Sequence, residues 1–484
     1  MKLHSLVSMG WDLYPIEVEV LLVRGLPELK FVGLPDQAIK ESAIRIKTAI
    51  KQSGFSWPEA DQIIVNLKPN HLKKSSRGLE LAVAAGILWE TQQLPIPSNY
   101  SEWIIYGELN LDGTVQQPED LIGFNELCTK KMSHSIITGN CRSNLQRPWL
   151  TQPIGNISHL RYLHEPDWID EYPNPKIEAP DFSGIYLTPK QAELALIAAL
   201  GRHSLLMAGP AGSGKSLMGE LIHSLGSDPS ESMQKDLWRR RQQQNDIDET
   251  ENLWRPLIRP HHSVTTQGLI GGGNPIRPGE LARAHNGTLI LDELLEFKPT
   301  TIEALREPLE TNKIRLARVS GYHAYDCQFH FMATTNLCPC GDFAPKTPIK
   351  CRYSLTKCRS YSQKLTGPLV DRFQILNFSH QWKGERSVRY EDLKQKIQQI
   401  RFCSEEDRIP NSLLSESFFN LQNWNIVERK LMEQLQGSHR RYLSTLRVAQ
   451  TLADIEVKLR PGIDEIERAI KYTVTPFVEL QRWD

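Results

Sequence analysis

Along the first 165 residues, apolar positions switch between the two-residue period of strands and the helical period of 3.6. IEVEVLLV (16–23) and DQIIVNL (61–67) predict strands. DQAIKESAIRIKTAIKQSG (36–54) has apolar residues at helical spacing and ends on a glycine that stops a helix. GLELAVAAGILW (78–89) predicts a second, more buried helix, and EWIIYGELNLDG (102–113) a strand, a turn and a strand. Residues 165–183 carry four prolines and no sustained apolar period, which is the pattern of a linker. TPKQAELALIAALGRHSLLMAGPAGSGKS then predicts helix, buried strand, glycine loop and helix. TLILDE (288–293) and FHFMATTN (329–336) are further buried strands. From about 386 the pattern is largely helical, without another strand cluster. The polar run SMQKDLWRRRQQQNDIDETEN (232–252) reads as a surface excursion, and no internal repeat is evident.

These patterns predict an α/β multidomain chain, and a length of 484 residues agrees, because one hydrophobic core rarely serves so many. No apolar run is long enough to span a bilayer, and the N-terminus lacks a basic segment followed by an apolar run and a cleavage site. The eight cysteines are too sparse for a secreted disulfide framework, so the expectation is a cytoplasmic protein with no membrane partner. Formal net charge is zero, so nucleic-acid binding would have to come from local basic patches.

The chemistry concentrates in Gly209-Pro210-Ala211-Gly212-Ser213-Gly214-Lys215-Ser216. A glycine loop leaving an apolar strand and opening a helix turns backbone N–H groups around phosphates, with the helix N-terminus adding positive potential. Lys215 is expected to reach the β- and γ-phosphates of ATP, and Ser216 to ligate Mg²⁺. TLILDE ends in paired acids: Asp292 is placed to hold Mg²⁺ through water, and Glu293 to orient and polarise the attacking water. The alternatives are a glycine-rich turn with a chance lysine and an ordinary strand end with solvated acids. The motif order disfavours both.

LIRPHHSVTTQGLIGGGNPIRPGELARAHNGTLILDE (257–293) resembles the Mg-chelatase-like AAA+ family typified by the competence protein ComM and its YifB relatives. EALREPLE (303–310), TTNLCPCG (334–341) and LTGPLVDRF (365–373) continue the likeness in order. YPIEVEVLLVRGLPELKFVGLPDQAIKES (14–42), IIVNLKPNHLKK (63–74) and LRVAQTLADIE (446–456) extend it over almost the whole chain. The resemblance implies a Lon-protease-like α/β N-terminal domain (1–165), a linker (166–184), an AAA+ P-loop core with a parallel sheet (185–385) and a C-terminal helical lid (386–484). It implies a homo-hexameric ring acting on DNA, with branch migration during natural transformation as the activity. Asn336 falls where an AAA+ motor has its sensor-1 residue, Arg372 resembles an arginine finger, and Arg447 matches the lid's sensor-2 position. Ala211 and Ser216 stand where a second proline and a final threonine are commoner. DFSGIYLTPKQAE (181–193) departs from the usual entry to the motor domain.

A Lon-like domain raises the question of peptidase chemistry. Lys73, Lys74, Ser75 and Ser76 are adjacent, but no second lysine follows on the helix where a Ser–Lys dyad needs it, so a non-proteolytic platform or DNA-binding module is expected. Lys68, Lys73, Lys74 and Arg77 cluster beside His71, equally consistent with a solvated loop and with phosphate contact. Cys338, Cys340, Cys351 and Cys358 are close enough in sequence to close a structural Zn²⁺ site, with four reduced thiols as the alternative. Cys128, Cys141, Cys327 and Cys403 are scattered, and the adjacent His261 and His262 suit a loop better than a shared metal. For DNA the candidates are Arg277 in a glycine-rich loop, and Lys313, Arg315 and Arg318 in a hairpin, read as lying to one side; Arg239, Arg240 and Arg241 add a basic run. A DNA motor and a protein-remodelling machine both remain open.

Overall fold

The computed structural model describes residues 1–9, 12–33, 37–68, 78–98, 100–118, 120–121, 135–140, 151–163, 176–243, 252–273, 276–318, 321–343, 345, 353–365, 367–402, 409–419 and 438–481. They form two compact units. One comprises 1–176, 234–253 and 315–324; the other comprises 177–233, 254–314 and 325–484.

The first unit is built on a mixed seven-stranded sheet of β1 (Lys2–Met9), β2 (Asp12–Arg24), β3 (Leu29–Val32), β4 (Asp61–Lys68), β5 (Trp103–Ile105), β6 (Ser135–Gly139) and β7 (Thr151–Ile154). Their spatial order is β3-β4-β2-β1-β5-β6-β7. Register brings Leu3, Val18 and Leu67 into one row across three strands, and all three are buried. The helices α1 (Gln37–Gln52) and α2 (Leu79–Glu90) share this core, and every residue of α2 from Leu79 to Trp89 is buried. Buried Glu80 ties the layers together: its carboxylate accepts from Ser42 Oγ at 2.6 Å, Arg45 Nε at 2.8 Å and the Leu109 amide at 2.9 Å. The N-terminal KLHSLVSM, which the sequence pattern left unassigned, is the central strand β1.

The second unit holds a five-stranded, all-parallel sheet of β8 (Leu205–Ala208), β9 (Leu257–Ile258), β10 (Thr288–Leu291), β11 (His330–Thr335) and β12 (Ile375–Phe378), ordered β9-β10-β11-β8-β12. β8, β10 and β11 are buried along their whole length, as apolar runs covered on both faces must be. α3 (Pro189–Gly201) precedes β8 and starts with a capping box between Thr188 and Gln191, with proline in its first turn. α4 (Lys215–Ser224) follows the glycine loop.

The polar run after 231 is not a featureless excursion: α5 (Glu231–Gln243) is helical, buries Leu237 and Trp238 beside Leu253, and belongs from 234 onward to the first unit. The C-terminal helices α6 (Tyr390–Phe402), α7 (His439–Ile455) and α8 (Ile463–Thr473) share one apolar core with α3, through Leu194 and Ile197 against Leu446, Leu452 and Ile466. A short strand, Val388–Arg389, pairs antiparallel with Tyr186–Leu187, a ladder the helical pattern hid. Among the described residues no helix is long and apolar enough to cross a membrane.

Candidate nucleotide site

β8 points its carboxyl end at the loop 209–214, and β11 and β10 end beside it. Gly214 enters α4 with φ +84, a left-handed conformation that only glycine adopts without cost, and a Cβ there would meet no heavy atom within 4 Å. Gly209 is needed for a second reason: its Cβ would stand 2.3 Å from Ser379 Oγ. Ser379 Oγ hydrogen-bonds Ser213 Oγ at 2.6 Å, and Ser213 Oγ donates to the Pro210 carbonyl at 2.8 Å. The Gly209 amide donates to the Thr335 carbonyl at 3.1 Å, and the Ala211 amide to the Gly341 carbonyl at 3.0 Å. The loop is therefore fixed from three directions.

Lys215 is buried, and its Nζ donates to the carbonyls of Gly209 (2.9 Å) and Pro210 (2.7 Å) and to Asn336 Oδ1 (3.2 Å). Burial lowers its ammonium below the usual lysine value, and the nearby Asp292 and Glu293 oppose that shift. Asp292 Oδ1 accepts from Ser216 Oγ and from Thr334 Oγ1, each at 3.1 Å, and Oδ2 accepts from Arg259 Nη2 at 2.5 Å. Glu293 sits in the left-handed region at φ 55 and ψ 51, with its amide donating to Thr334 Oγ1 at 3.2 Å. The structure thus brings Lys215, Ser216, Asp292, Glu293 and Asn336 together. A hydroxyl and a carboxylate are the hard oxygen donors that Mg²⁺ takes, so the residues present fit that ion beside a phosphate chain.

Arg372 lies elsewhere in the unit. Its Nη2 donates to Glu310 Oε1 at 2.8 Å, and Arg440 Nη2 reaches the same oxygen at 2.6 Å. Burial lowers Arg372 below the usual arginine value, with Glu310 acting against it and Arg440 and Arg306 with it. The neighbouring Arg441 is committed to the backbone, donating to the carbonyls of Phe373 and Val370 at 2.8 Å each. Arg447 is not brought to the loop: its Nε donates to the Leu414 carbonyl at 2.8 Å, and burial pushes it down to about 10. Its bond lies within the C-terminal helical segment, while Arg440, at the start of the same helix, reaches Glu310.

Zinc finds no support. Cys338 and Cys340 lie 3.1 Å apart at sulfur, Cys358 is buried on the helix Leu355–Ser362, and Cys351 is outside the described residues. Among the described residues no three His, Cys, Asp or Glu side chains form a metal-ligand group. The rings of His261 and His262 lie 4.0 Å apart at their centroids and tilted by 35°, with His261 Nδ1 on Ser263 Oγ at 2.7 Å.

Of the DNA candidates, Arg277 is exposed on the short strand Arg277–Pro278. Lys313 and Arg315 are exposed on the strand Lys313–Arg318, alternating with buried Ile314 and Leu316. Arg318 occupies the alternate register, so the three do not share one parity; its side chain is outside the described set. Lys68 donates to Glu19 Oε1 at 2.6 Å and Glu17 Oε1 at 3.3 Å, while His71, Lys73, Lys74, Ser75, Ser76 and Arg77 lie outside the described residues. So do Cys128, Cys141 and Cys403, and the side chain of Arg239.

Sequence reasoning missed Arg259, Thr334, Ser379, Glu310 and Arg440. Arg259, Thr334 and Glu310 carried a signal, lying within the quoted motifs LIRPHH, TTNLCPCG and EALREPLE, whereas Ser379 and Arg440 lay in none.

A family model described as Magnesium chelatase, subunit ChlI, matches residues 181–386; Subunit ChlI of Mg-chelatase matches 18–139, and its C-terminal model 393–473. YifB of Escherichia coli is 31% identical over 399 residues, covering 77% of this chain and 74% of that protein. The competence protein ComM of Haemophilus influenzae is 29% identical over 488 residues, covering 94% and 93%. An uncharacterised protein of Mycobacterium tuberculosis is 29% identical over 510 residues, covering 98% of each. A phosphate loop closed by paired acids and an asparagine, on a parallel sheet and within these matches, leaves one assignment: the chain belongs to the magnesium-chelatase-like AAA+ ATPase family that includes YifB and ComM.

Proposed function

We propose that the chain hydrolyses ATP to ADP and phosphate and uses the cycle to move branched or single-stranded DNA through a homo-hexameric ring. In this reading it is a branch-migration helicase for recombination intermediates in natural transformation. The observation that carries the ATPase reading is the convergence of Lys215, Ser216, Asp292 and Asn336 on one glycine loop. The DNA reading rests on the exposed Lys313 and Arg315 and on the competence protein among the relatives. The first unit is read as a Lon-like platform without peptidase activity, and 386–484 as the lid.

The chemistry follows from the residues. Lys215 exchanges the loop carbonyls for phosphate oxygens, which bond a cation more strongly. Ser216 and Asp292 would hold Mg²⁺, which when bound neutralises charge developing on the β- and γ-phosphate oxygens. Glu293, as general base, orients water for attack on the γ-phosphorus; the bond to the β-bridging oxygen breaks and the water's proton passes to the carboxylate. Asn336 bonds Lys215 here and would position that water as well. Arg372, with Arg440 beside it, would meet the γ-phosphate of a neighbouring subunit.

An ATPase assay with and without four-way DNA tests this. Glu293→Gln should keep nucleotide binding while lowering turnover about 100-fold or more, and Lys313→Ala with Arg315→Ala should lower DNA stimulation about tenfold. Normal turnover in Glu293→Gln would remove the base assignment. Stimulation only by a protein partner would favour the remodelling reading instead.

A further inference from the structure

Arg259 directly follows β9, the strand beside β10, so in a parallel sheet it emerges next to Asp292. Ser216 and Glu220 lie one helical turn apart on α4 and share a face. Arg259 spans that face and the strand end: Nη1 donates to Glu220 Oε1, and Nη2 to Asp292 Oδ2 at 2.5 Å. The opposite oxygen of Asp292 is held independently by Ser216 and Thr334. One guanidinium thus stands between two carboxylates, at the carboxylate that the proposed mechanism gives to the metal.

We propose that Arg259 competes with the divalent cation for Asp292 and sets the site's metal affinity, with Glu220 as its alternative partner. This rests on reading 209–216 as a metal–nucleotide loop. Two cations on one carboxylate repel, so Arg259 must shift toward Glu220 as the metal takes Asp292; Thr334 keeps the carboxylate oriented meanwhile. The three side chains are 40%, 31% and 27% exposed for Arg259, Glu220 and Asp292, so the pair is weak enough to exchange. Arg259 is therefore a positioning residue that acts through Asp292, and its effect lies in metal affinity.

The test is Mn²⁺ binding to the full chain in the presence of ADP, read by the EPR signal of free Mn²⁺. Arg259→Ala should tighten Mn²⁺ binding about three- to tenfold. Glu220→Gln, which leaves Asp292 as the guanidinium's single carboxylate of this pair, should weaken it by a similar factor. Adding Arg259→Ala to Glu220→Gln should restore the tight value. Unchanged or weaker binding in Arg259→Ala overturns the proposal, since Arg259 would then be neutral or would support the metal-binding orientation of Asp292. A fluorescent ADP analogue in EDTA separates the premises: if the unmodified chain binds no nucleotide with or without metal, the reading of the loop fails, and the proposal with it.

Discussion

Glu293 sits at φ 55, a left-handed conformation that costs a side-chain-bearing residue about 1 kcal/mol or more. The bond from its amide to Thr334 Oγ1 holds it there, so the turn after β10 fixes the direction in which its side chain leaves the backbone. Val457 is in the same region at φ 57 but 77% exposed, at the end of α7. Amides there bond back as in a glycine C-cap, Val457 to the Asp454 carbonyl at 3.1 Å and Lys458 to Ala453 at 2.8 Å. Val457→Gly should therefore raise stability by about 1 kcal/mol, seen as a higher urea midpoint at constant m. At this scale the sequence was readable where neighbours in the chain are neighbours in space: Gly209 to Ser216 and the Asp292–Glu293 pair needed no fold. The contacts of Arg259, Glu310 and Arg440 were opaque because their partners lie 33 to 130 positions away. Motif matching singled out Arg447, and spacing alone could not show that the Leu414 carbonyl already holds its guanidinium.

Among the elements, fully buried parallel strands announced themselves as SLLMAG, TLILDE and FHFMATTN. β9, of two residues, is too short to carry a period, and the apolar run of β12 is interrupted by half-buried Asn377. α5 was missed because its buried apolar residues are few and widely framed by charge. The elements around β8 also conceal three buried histidines. His203 bonds Gln374 Oε1 at 2.7 Å and Thr451 Oγ1 at 2.8 Å, His330 donates to the His203 carbonyl at 2.9 Å, and His223 bonds Thr288 Oγ1 at 2.9 Å. Burial pushes them down to about 4, 3 and 4 from an ordinary 6.5, with nearby arginines adding to the effect. A depressed histidine binds its proton more readily in the unfolded chain, so its contribution is intact above about pH 6.5 and lost as pH falls toward 4. The melting temperature should be flat between pH 7 and 8 and fall steeply below about 6.5; His203→Gln should flatten part of that fall.

The chain first passes from one compact unit to the other between 176 and 177. That 234–253 and 315–324 group with the first unit could not be foreseen, because the chain order places them inside the motor segment and their apolar content is slight. Assembly makes the largest demand at this scale. If Arg372 serves a neighbour, chains carrying Arg372→Ala and chains carrying Glu293→Gln should each be nearly inactive, the former by 10³-fold or more. Mixed together they should recover activity at roughly a quarter of the interfaces, where an intact Glu293 faces an intact Arg372. No recovery on mixing would place both residues in one chain's site.

The bond from the Ala211 amide to the Gly341 carbonyl carries a consequence for anyone exchanging parts between relatives. A proline at this position would have no amide hydrogen to give. Phosphate loops are therefore not interchangeable cassettes in this chain: a borrowed loop with proline at 211 arrives one tether short.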